Sequence, residues 1–224
     1  MGKNKIRRFE ENKILANVFQ PTREEALSGY EMKGKWRSNF FKNDHPIVLE
    51  LGCGKGEYSV GMAKAFPDKN FIGVDIKGAR FWFGAKEATE KEMHNVAFLR
   101  TQIELIDLFF EKDEVDEIWI TFPDPQIKFK RAKHRLTHPD FLEKYKKIIK
   151  KGGYLHLKTD SEFLHGYTLG TLQALGYEVE VAHHDIYGAP EFETDAIHLR
   201  EIKTYYEGLF SAKGKTITYL RVKL

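Results

Sequence analysis

The sequence is poor in cysteine, in long apolar runs and in net charge. Its 224 residues include one cysteine, Cys53, so no disulfide can form within the chain, and the composition fits a reducing compartment. No apolar run reaches the roughly 18 residues of a membrane-spanning helix. The basic start MGKNKIRRFEEN also lacks the apolar core of a secretion signal. We therefore expect a cytoplasmic protein without membrane association.

The formal net charge of +3 is too small to indicate a nucleic-acid partner by itself. Its distribution is uneven, because residues 128–151 contain ten lysines or arginines and only two acids. For the five lysines between 144 and 151 we expect an ordinary solvated helix face. For the preceding group we expect contacts with a nucleic-acid backbone. This group consists of Lys128, Lys130, Arg131, Lys133 and Arg135.

From Pro46 onward, short apolar runs rich in β-branched residues alternate with patterns of helical periodicity. The predicted strands are IVLELG, NFIGVDI, VAFLRT, VDEIWITF, YLHLKTD, YEVEVAHH and the final TITYLRVKL. Helices between the first six predict parallel pairing, whereas the short SAKGK before the last strand leaves no room for a crossover helix. We therefore predict an α/β, Rossmann-like fold with a seven-stranded, mostly parallel sheet, an antiparallel last strand and helices on both faces. This pattern resembles the class I methyltransferase fold.

The two ends of the chain differ in composition. Residues 1–45 are polar and basic, and we expect a basic arm or short helices there. Residues 46–224 carry the strand and helix patterns and form the predicted catalytic domain. No internal repeat or low-complexity tract divides this part, so one domain is the expectation.

The segment LELGCGKGEYS places Gly52, Gly54 and Gly56 between the first predicted strand and the first helix of the domain. In doubly wound sheets such a turn lets the backbone approach a nucleotide-like ligand, although glycines also occur there for packing. A dinucleotide fingerprint needs a third glycine where Glu57 or Ser59 stands. Because an acid would repel a pyrophosphate, we expect a cationic ligand instead, and S-adenosylmethionine fits.

Acidic and polar residues follow the neighbouring strands. Glu50 could face the cationic groups of the ligand, and Asp75 could accept hydrogen bonds from ribose hydroxyls. Thr101 and Gln102 would contact adenine. Asp124, between two prolines at the end of the fourth predicted strand, would enter the cleft beside the methyl donor. The structural alternatives are a helix N-cap for Asp75 and an Asx turn for Asp124.

Five motifs occur in order: ELGCGKG, GVDIKGAR, FPDPQIKFKRAKHRL, KTD and TYYE. Together they resemble the tRNA (guanine-N7-)-methyltransferases over most of residues 46–224. The resemblance implies methyl transfer from S-adenosylmethionine to N7 of a guanosine in the variable loop of tRNA, without a metal, by a monomer or homodimer. It departs from the family at Gln126 and Ile127, where a Trp or His is common, at Thr101, and in the TYYE motif.

The resemblance also assigns residues to roles. The implied donor site consists of Glu50, Asp75, Thr101 or Gln102, and Asp124, to which the loop pattern adds Gly52, Gly54 and Gly56. The implied substrate contacts are Lys128, Asp160, Thr204, Tyr205, Tyr206 and Glu207. The charge pattern, rather than the resemblance, predicts the RNA-backbone contacts Lys130, Arg131, Lys133 and Arg135.

Guanine N7 carries a lone pair and no proton, so it can attack a sulfonium methyl group without a general base. A carboxylate could stabilise the positive charge that develops on the purine. Asp124 and Asp160 suit this role, and we assign the catalytic role to Asp124. Glu207 could accept hydrogen bonds from the N1–H and N2–H₂ edge of guanine. The alternatives are a methyltransferase for a small molecule or protein, and a non-catalytic RNA-binding protein that retains the fold.

Overall fold

A computed structural model of the protein describes residues 3–188 and 197–224. Its strands form a single sheet with the order β1-β4-β3-β2-β5-β6-β8-β7. The strands are β1 (Val18–Phe19), β2 (Ile47–Leu51), β3 (Asn70–Val74), β4 (Val96–Leu99), β5 (Val115–Thr121), β6 (Ile149–Thr159), β7 (Val179–His183) and β8 (Thr218–Lys223). The helices are α1 (Lys3–Asn12), α2 (Arg23–Gly29), α3 (Glu57–Ala65), α4 (Gly78–Glu90), α5 (Pro139–Ile148), α6 (Glu162–Ala174), α7 (Ile197–Glu201) and α8 (Tyr205–Ser211).

The direction of the strands confirms the predicted fold class. Each neighbouring pair from β1 to β6 in the sheet is parallel, and β8 runs antiparallel to both β6 and β7. All seven predicted strands are present, and β1 is an eighth that was not predicted. Val18 and Phe19 pair with Phe98 and Leu99 of β4. Two residues are too few to show the alternation that identifies a strand in a sequence.

Alternating residues of each central strand pack against helices on opposite faces of the sheet. Leu49 of β2 and Ile118 of β5 lie in one core cluster with α5 and α6, whereas Val48 and Trp119 lie in the other with α3 and α4. Strands covered on both faces read as nearly continuous apolar runs, and this is the pattern seen in the sequence.

The segment before β2 packs closely on the rest of the protein. Trp36 is fully buried, its indole Nε1 donates to the carbonyl of Phe109 at 3.0 Å, and its ring stacks on Phe110. Arg37 pairs with Asp116 at 2.7 Å. Short helices occur here as expected, and the division of the chain at residue 45 stays a prediction. Across the described ranges, no helix is long and apolar enough to span a bilayer.

Candidate active site

A cleft of about 460 Å³ opens beyond the carboxyl ends of β2, β5 and β6. The sheet order reverses between β2 and β5, and such a switch point is where doubly wound sheets bind ligands. Most residues that line the cleft come from the glycine loop, the β5 and β6 ends and α8. They include Glu50, Gly52, Gly54, Lys55, Glu57, Asp75, Arg80, Thr121, Asp124, Ile127, Asp160, Thr204, Tyr206, Phe210 and Lys215.

A second groove of about 300 Å³ lies beside this cleft. Thr101 and Gln102, at the end of β4, line the groove, and Gly52 and Asp75 line both cavities. The structure therefore brings together the residues that the sequence assigned to the donor site, with Asp75 at the junction. Gly56 is the exception, because it does not line either cavity.

The glycines of the loop serve two different purposes. Gly56 has φ = +79°, and a Cβ atom there would lie 2.5 Å from Cε1 of Phe98, so only glycine fits this position. At Gly52 and Gly54 a Cβ atom would meet no atom closer than 3.9 Å. These two glycines leave open space on the floor of the cleft, while Gly56 lets the loop pack on β4.

Glu50 is buried at the floor of the cleft and is held by three donors. The Thr121 hydroxyl donates to Oε1 at 2.6 Å, and the backbone N–H and hydroxyl of Ser59 donate to Oε2 at 2.9 and 2.5 Å. Burial raises the pKa of Glu50 to about 7, although these hydrogen bonds lower it. A cation placed beside this carboxyl group would favour its ionised form.

Asp75 follows β3 and receives two backbone hydrogen bonds. The N–H of Gly54 donates to Oδ2 at 3.0 Å, and the N–H of Lys77 donates to Oδ1 at 2.7 Å. The second bond is an Asx turn before α4, whose N-cap residue is Lys77, so the alternative of Asp75 as the helix N-cap is wrong. Because Asp75 also lines both cavities, the turn orients its carboxylate toward them.

Asp124 follows β5 and is exposed in the cleft. The backbone N–H of Gln126 donates to its Oδ1 at 3.0 Å, so the Asx turn named as the structural alternative is present. Its Oδ2 accepts no hydrogen bond from residues within 3–188 or 197–224. Phe122 and Gln126 both have φ = +46°, a conformation that non-glycine residues adopt at a cost. This strained turn fixes one carboxylate oxygen of a residue that lines the cleft and leaves the other without a donor among the described residues.

Three of the five residues assigned from TYYE and KTD reach the cleft. Asp160, Thr204 and Tyr206 line it, and Lys215 Nζ lies 2.7 Å from Oδ2 of Asp160. Tyr205 lies outside the lining, with Lys55 Nζ 4.0 Å from the centre of its ring.

Comparisons with known proteins show the family to which this chain belongs. A family model described as "Putative methyltransferase" matches residues 44–220. The tRNA (guanine-N(7)-)-methyltransferase of Christiangramia forsetii is 61% identical over 224 residues, which cover all of this chain and 99% of that protein. The chain belongs to the tRNA (guanine-N(7)-)-methyltransferase family.

Further family members and solved structures extend the comparison. The tRNA (guanine-N(7)-)-methyltransferase of Porphyromonas gingivalis is 53% identical over 193 residues, covering 86% of this chain and 77% of that protein. The 16S rRNA methyltransferase KamB has a TM-score of 0.62 at 11% identity, covering 83% of this chain and 90% of that one. An antibiotic-related methyltransferase has a TM-score of 0.61 at 17% identity, covering 84% and 91%. The two structures support the fold only.

The structure corrects the role that the family resemblance assigned to Glu207. It is fully buried, and its Oε2 lies 2.8 Å from Nζ of Lys158, which is also fully buried. The hydroxyl of Tyr187 donates to Oε1 at 2.6 Å. Both oxygens therefore face other residues, and Glu207 does not line the cleft, so the expected contact with the guanine edge is wrong for this structure. The ion pair instead fixes the start of α8, where Thr204 caps the helix.

The structure also corrects the role of RNA-backbone contact that was expected of Arg135. Only 5% of it is exposed, and its guanidinium donates to the carbonyl oxygens of Gln126 and Ile127. It also lies over the rings of Phe163 and Tyr167, at 4.8 and 4.3 Å. It cannot serve as the expected phosphate contact in this arrangement, because its donors face inward and close the loop.

The other cations of this loop differ from Arg135. The side chains of Lys128, Lys130, Arg131 and Lys133 are exposed, and in the described part of the chain they have no ion pair. Four lysines of the α5 region are paired: Lys144 and Lys147 with Asp107, Lys146 with Glu143, and Lys150 with Asp116. The structure thus separates a charged helix surface from a loop with uncompensated charge. Lys128 does not line the cleft, although its neighbour Ile127 does.

Several residues of the site were not predicted from the sequence. Ser59 and Thr121 hold Glu50, and Lys55, Arg80 and Lys215 add cations to the wall of the cleft. Lys158 stands in the quoted KTD motif, but nothing in the sequence identified its partner 49 residues away. No group of three or more His, Cys, Asp or Glu suited to a metal occurs among the residues described.

Proposed function

We propose that this protein transfers a methyl group from S-adenosylmethionine to N7 of a guanosine in tRNA. The observation that carries the proposal is an acidic cleft next to a loop of unpaired cations. Five acids line the cleft (Glu50, Glu57, Asp75, Asp124 and Asp160) against three cations, two of which lie within 4.0 Å of an acid. The names of its family members support the same reaction.

The residues of the two cavities fit S-adenosylmethionine. When bound, this molecule supplies an electrophilic methyl group on a sulfonium. Thr101 and Gln102 would hold the adenine side, and Asp75, at the junction of the cavities, would accept hydrogen bonds from the ribose. Glu50 and the open floor at Gly52 and Gly54 would hold the amino-acid side. A site lined by acids favours a cationic ligand over one with a pyrophosphate.

Asp124 is proposed to act electrostatically. Guanine N7 needs no base, because its lone pair lies in the plane of the ring and carries no proton. As N7 forms a bond to carbon, positive charge develops on the purine. The free Oδ2 of Asp124 and the carboxylate of Asp160 would stabilise that charge, and the strained turn keeps Asp124 oriented before substrate arrives. This chemistry requires no metal.

The unpaired cations of the loop are proposed to contact the RNA backbone. Lys130, Arg131 and Lys133 are exposed beside the cleft and have no acidic partner in the described ranges. Lysines and arginines that neutralise phosphates release counterions, so binding of tRNA should weaken as salt increases.

The test is to incubate the purified protein with labelled S-adenosylmethionine and tRNA from a strain that lacks the modification, then digest the RNA and identify the labelled nucleoside. We expect label in 7-methylguanosine. Donor binding without label in RNA would indicate a methyltransferase for a small molecule or protein. Failure to bind the donor would indicate a non-catalytic RNA-binding protein.

The matched variant is Asp124→Asn, which keeps the shape and the Oδ1 acceptor of the Asx turn. Removing the charge should lower kcat by roughly 10²–10³-fold, the range seen when one preorganised electrostatic group is lost. Binding of tRNA should stay near the wild-type level, since Asp124 makes no phosphate contact. Wild-type turnover by this variant would remove Asp124 from the mechanism.

A further inference from the structure

Phe129 lies on the loop between the cleft and α5, and 93% of its surface is exposed. Its neighbour Ile127 is 66% exposed and lines the cleft. Single apolar residues on a surface are common, so exposure alone does not identify a contact. Here, however, two of them lie two residues apart at the entrance of the site.

The charge around Phe129 indicates the kind of partner. Lys128, Lys130, Arg131 and Lys133 surround it in sequence, and each is exposed without an ionic partner in the part of the chain that the structure describes. An apolar ring among uncompensated cations is unsuited to an apolar protein surface, because burying those charges would be costly. The combination of cations with an exposed ring matches single-stranded nucleic acid, which offers phosphates and unstacked bases together.

The loop also holds Phe129 in place. The 3₁₀ helix Phe129–His134 carries it, and the buried Arg135 joins the two ends of the loop through the carbonyls of Gln126 and Ile127. Arg135 is itself packed on Phe163 and Tyr167. A ring presented on a closed loop loses little conformational freedom when a partner binds.

We propose that Phe129 stacks on an unpaired base of the RNA substrate, next to the nucleotide that enters the cleft. This inference rests on the proposed function, because it requires an RNA substrate. It adds a contact of a different kind to the loop: the four cations bind the backbone of any RNA, whereas Phe129 requires a base that is free of its helix. The ligand of Phe129 is thus an unpaired nucleobase, and the contribution of this stacking to the affinity for RNA is independent of salt concentration.

The test compares Phe129→Ala with Phe129→Trp and with Leu27→Ala, a control at a 63% exposed apolar residue outside the cleft. Phe129→Ala should raise the Kd for tRNA by roughly 5- to 100-fold, the range for one base stacked on an aromatic ring. The slope of log Kd against log salt should remain that of the wild type. Phe129→Trp should bind at least as well as the wild type, and Leu27→Ala should be unchanged.

A blunt RNA duplex of similar length separates stacking from a general apolar contact. Wild type and Phe129→Ala should bind the duplex equally, because its bases are paired. An equal loss of affinity for tRNA and duplex would overturn the stacking, and so would a wild-type Kd for tRNA in Phe129→Ala. If the wild type methylates tRNA while Phe129→Ala shows no loss, this inference alone fails. If the wild type does not act on tRNA, the proposed function fails first.

Discussion

The buried ion pair between Lys158 and Glu207 leads to a quantitative prediction. Both side chains have no exposed surface, and Nζ of Lys158 also donates to the carbonyls of Leu199 and Ile202. Burial lowers the pKa of Lys158, and the charge of Glu207 opposes that shift. Glu207 therefore helps Lys158 to remain ionised inside the protein. Removing one should leave an uncompensated charge.

The expected loss of unfolding free energy can be estimated in two ways. Breaking a buried pair by removing one partner costs about 3–5 kcal/mol. The remaining group can escape this cost by becoming neutral. At pH 7, releasing the proton of a lysine with an ordinary pKa of about 10.4 costs about 5 kcal/mol, at 1.36 kcal/mol per pH unit. Protonating a glutamate with an ordinary pKa of about 4.3 costs about 4 kcal/mol. Glu207→Gln and Lys158→Met should each lose about 3–5 kcal/mol of unfolding free energy.

The Glu207→Gln variant should also respond to pH. Burial lowers the pKa of Lys158, so without Glu207 the folded state releases the Lys158 proton while the unfolded state retains it. Stability should then rise with pH, by up to about 1.4 kcal/mol per unit between pH 7 and 9.

Urea unfolding followed by circular dichroism between pH 5 and 9 measures these effects. Lys147→Met is the control, because its pair with Asp107 is on the surface and should contribute at most about 1 kcal/mol. The double variant Lys158→Met/Glu207→Leu should recover most of the loss, since it leaves no buried charge. Single variants that behave like the control would refute the description of the pair as desolvated, and so would a stability of Glu207→Gln that does not rise with pH.

Two further predictions concern the cleft and the loop. Burial raises the pKa of Glu50 to about 7, so the folded state retains a proton on Glu50 that the unfolded state releases above about pH 4.3. The stability of the wild type relative to Glu50→Gln should therefore fall by roughly 3 kcal/mol between pH 4 and 8. Urea unfolding of both proteins without donor measures this, and a constant difference would contradict the buried carboxyl. Replacing Lys130, Arg131 and Lys133 by alanine should reduce the salt slope of tRNA binding by roughly 2–3, whereas alanine at the paired Lys144, Lys146 and Lys147 should not. Equal slopes for the two triple variants would contradict the assignment of the loop.

Much of the fold could be predicted from the sequence, because its signals are local. The runs in β2 and β3 are apolar except at Glu50 and Asn70, since helices cover both faces of the sheet. The lack of a crossover helix before β8 predicted its antiparallel direction. The strand β1 could not be predicted in this way. Phe19 packs edge-on against Trp36 at 4.8 Å, so a tertiary contact supports this strand rather than a sequence pattern.

The same distinction applies to the site. Glu50, Asp75 and Asp124 could be identified because each lies in or directly after a parallel strand, and the carboxyl ends of such strands meet at one edge of the sheet. Glu207 and Arg135 could not be assigned correctly, because their roles depend on partners that the fold supplies. Arg135 has the same charge as Lys133, but it lies against Phe163 and Tyr167, and Lys133 faces solvent.

The position of Arg135 also explains how one acid remains available within a strongly basic stretch. Asp124 lies eleven residues before it, yet neither forms an ion pair with the other, since the guanidinium donates to the carbonyls of Gln126 and Ile127. The loop closes on these neutral groups, and its exposed cations extend away without an acidic partner among the described residues. Asp124 therefore keeps its negative charge toward the cleft while the loop keeps its positive charge toward solvent. Had the loop closed through an Arg135–Asp124 pair, the acid would have been neutralised where a developing cation needs it.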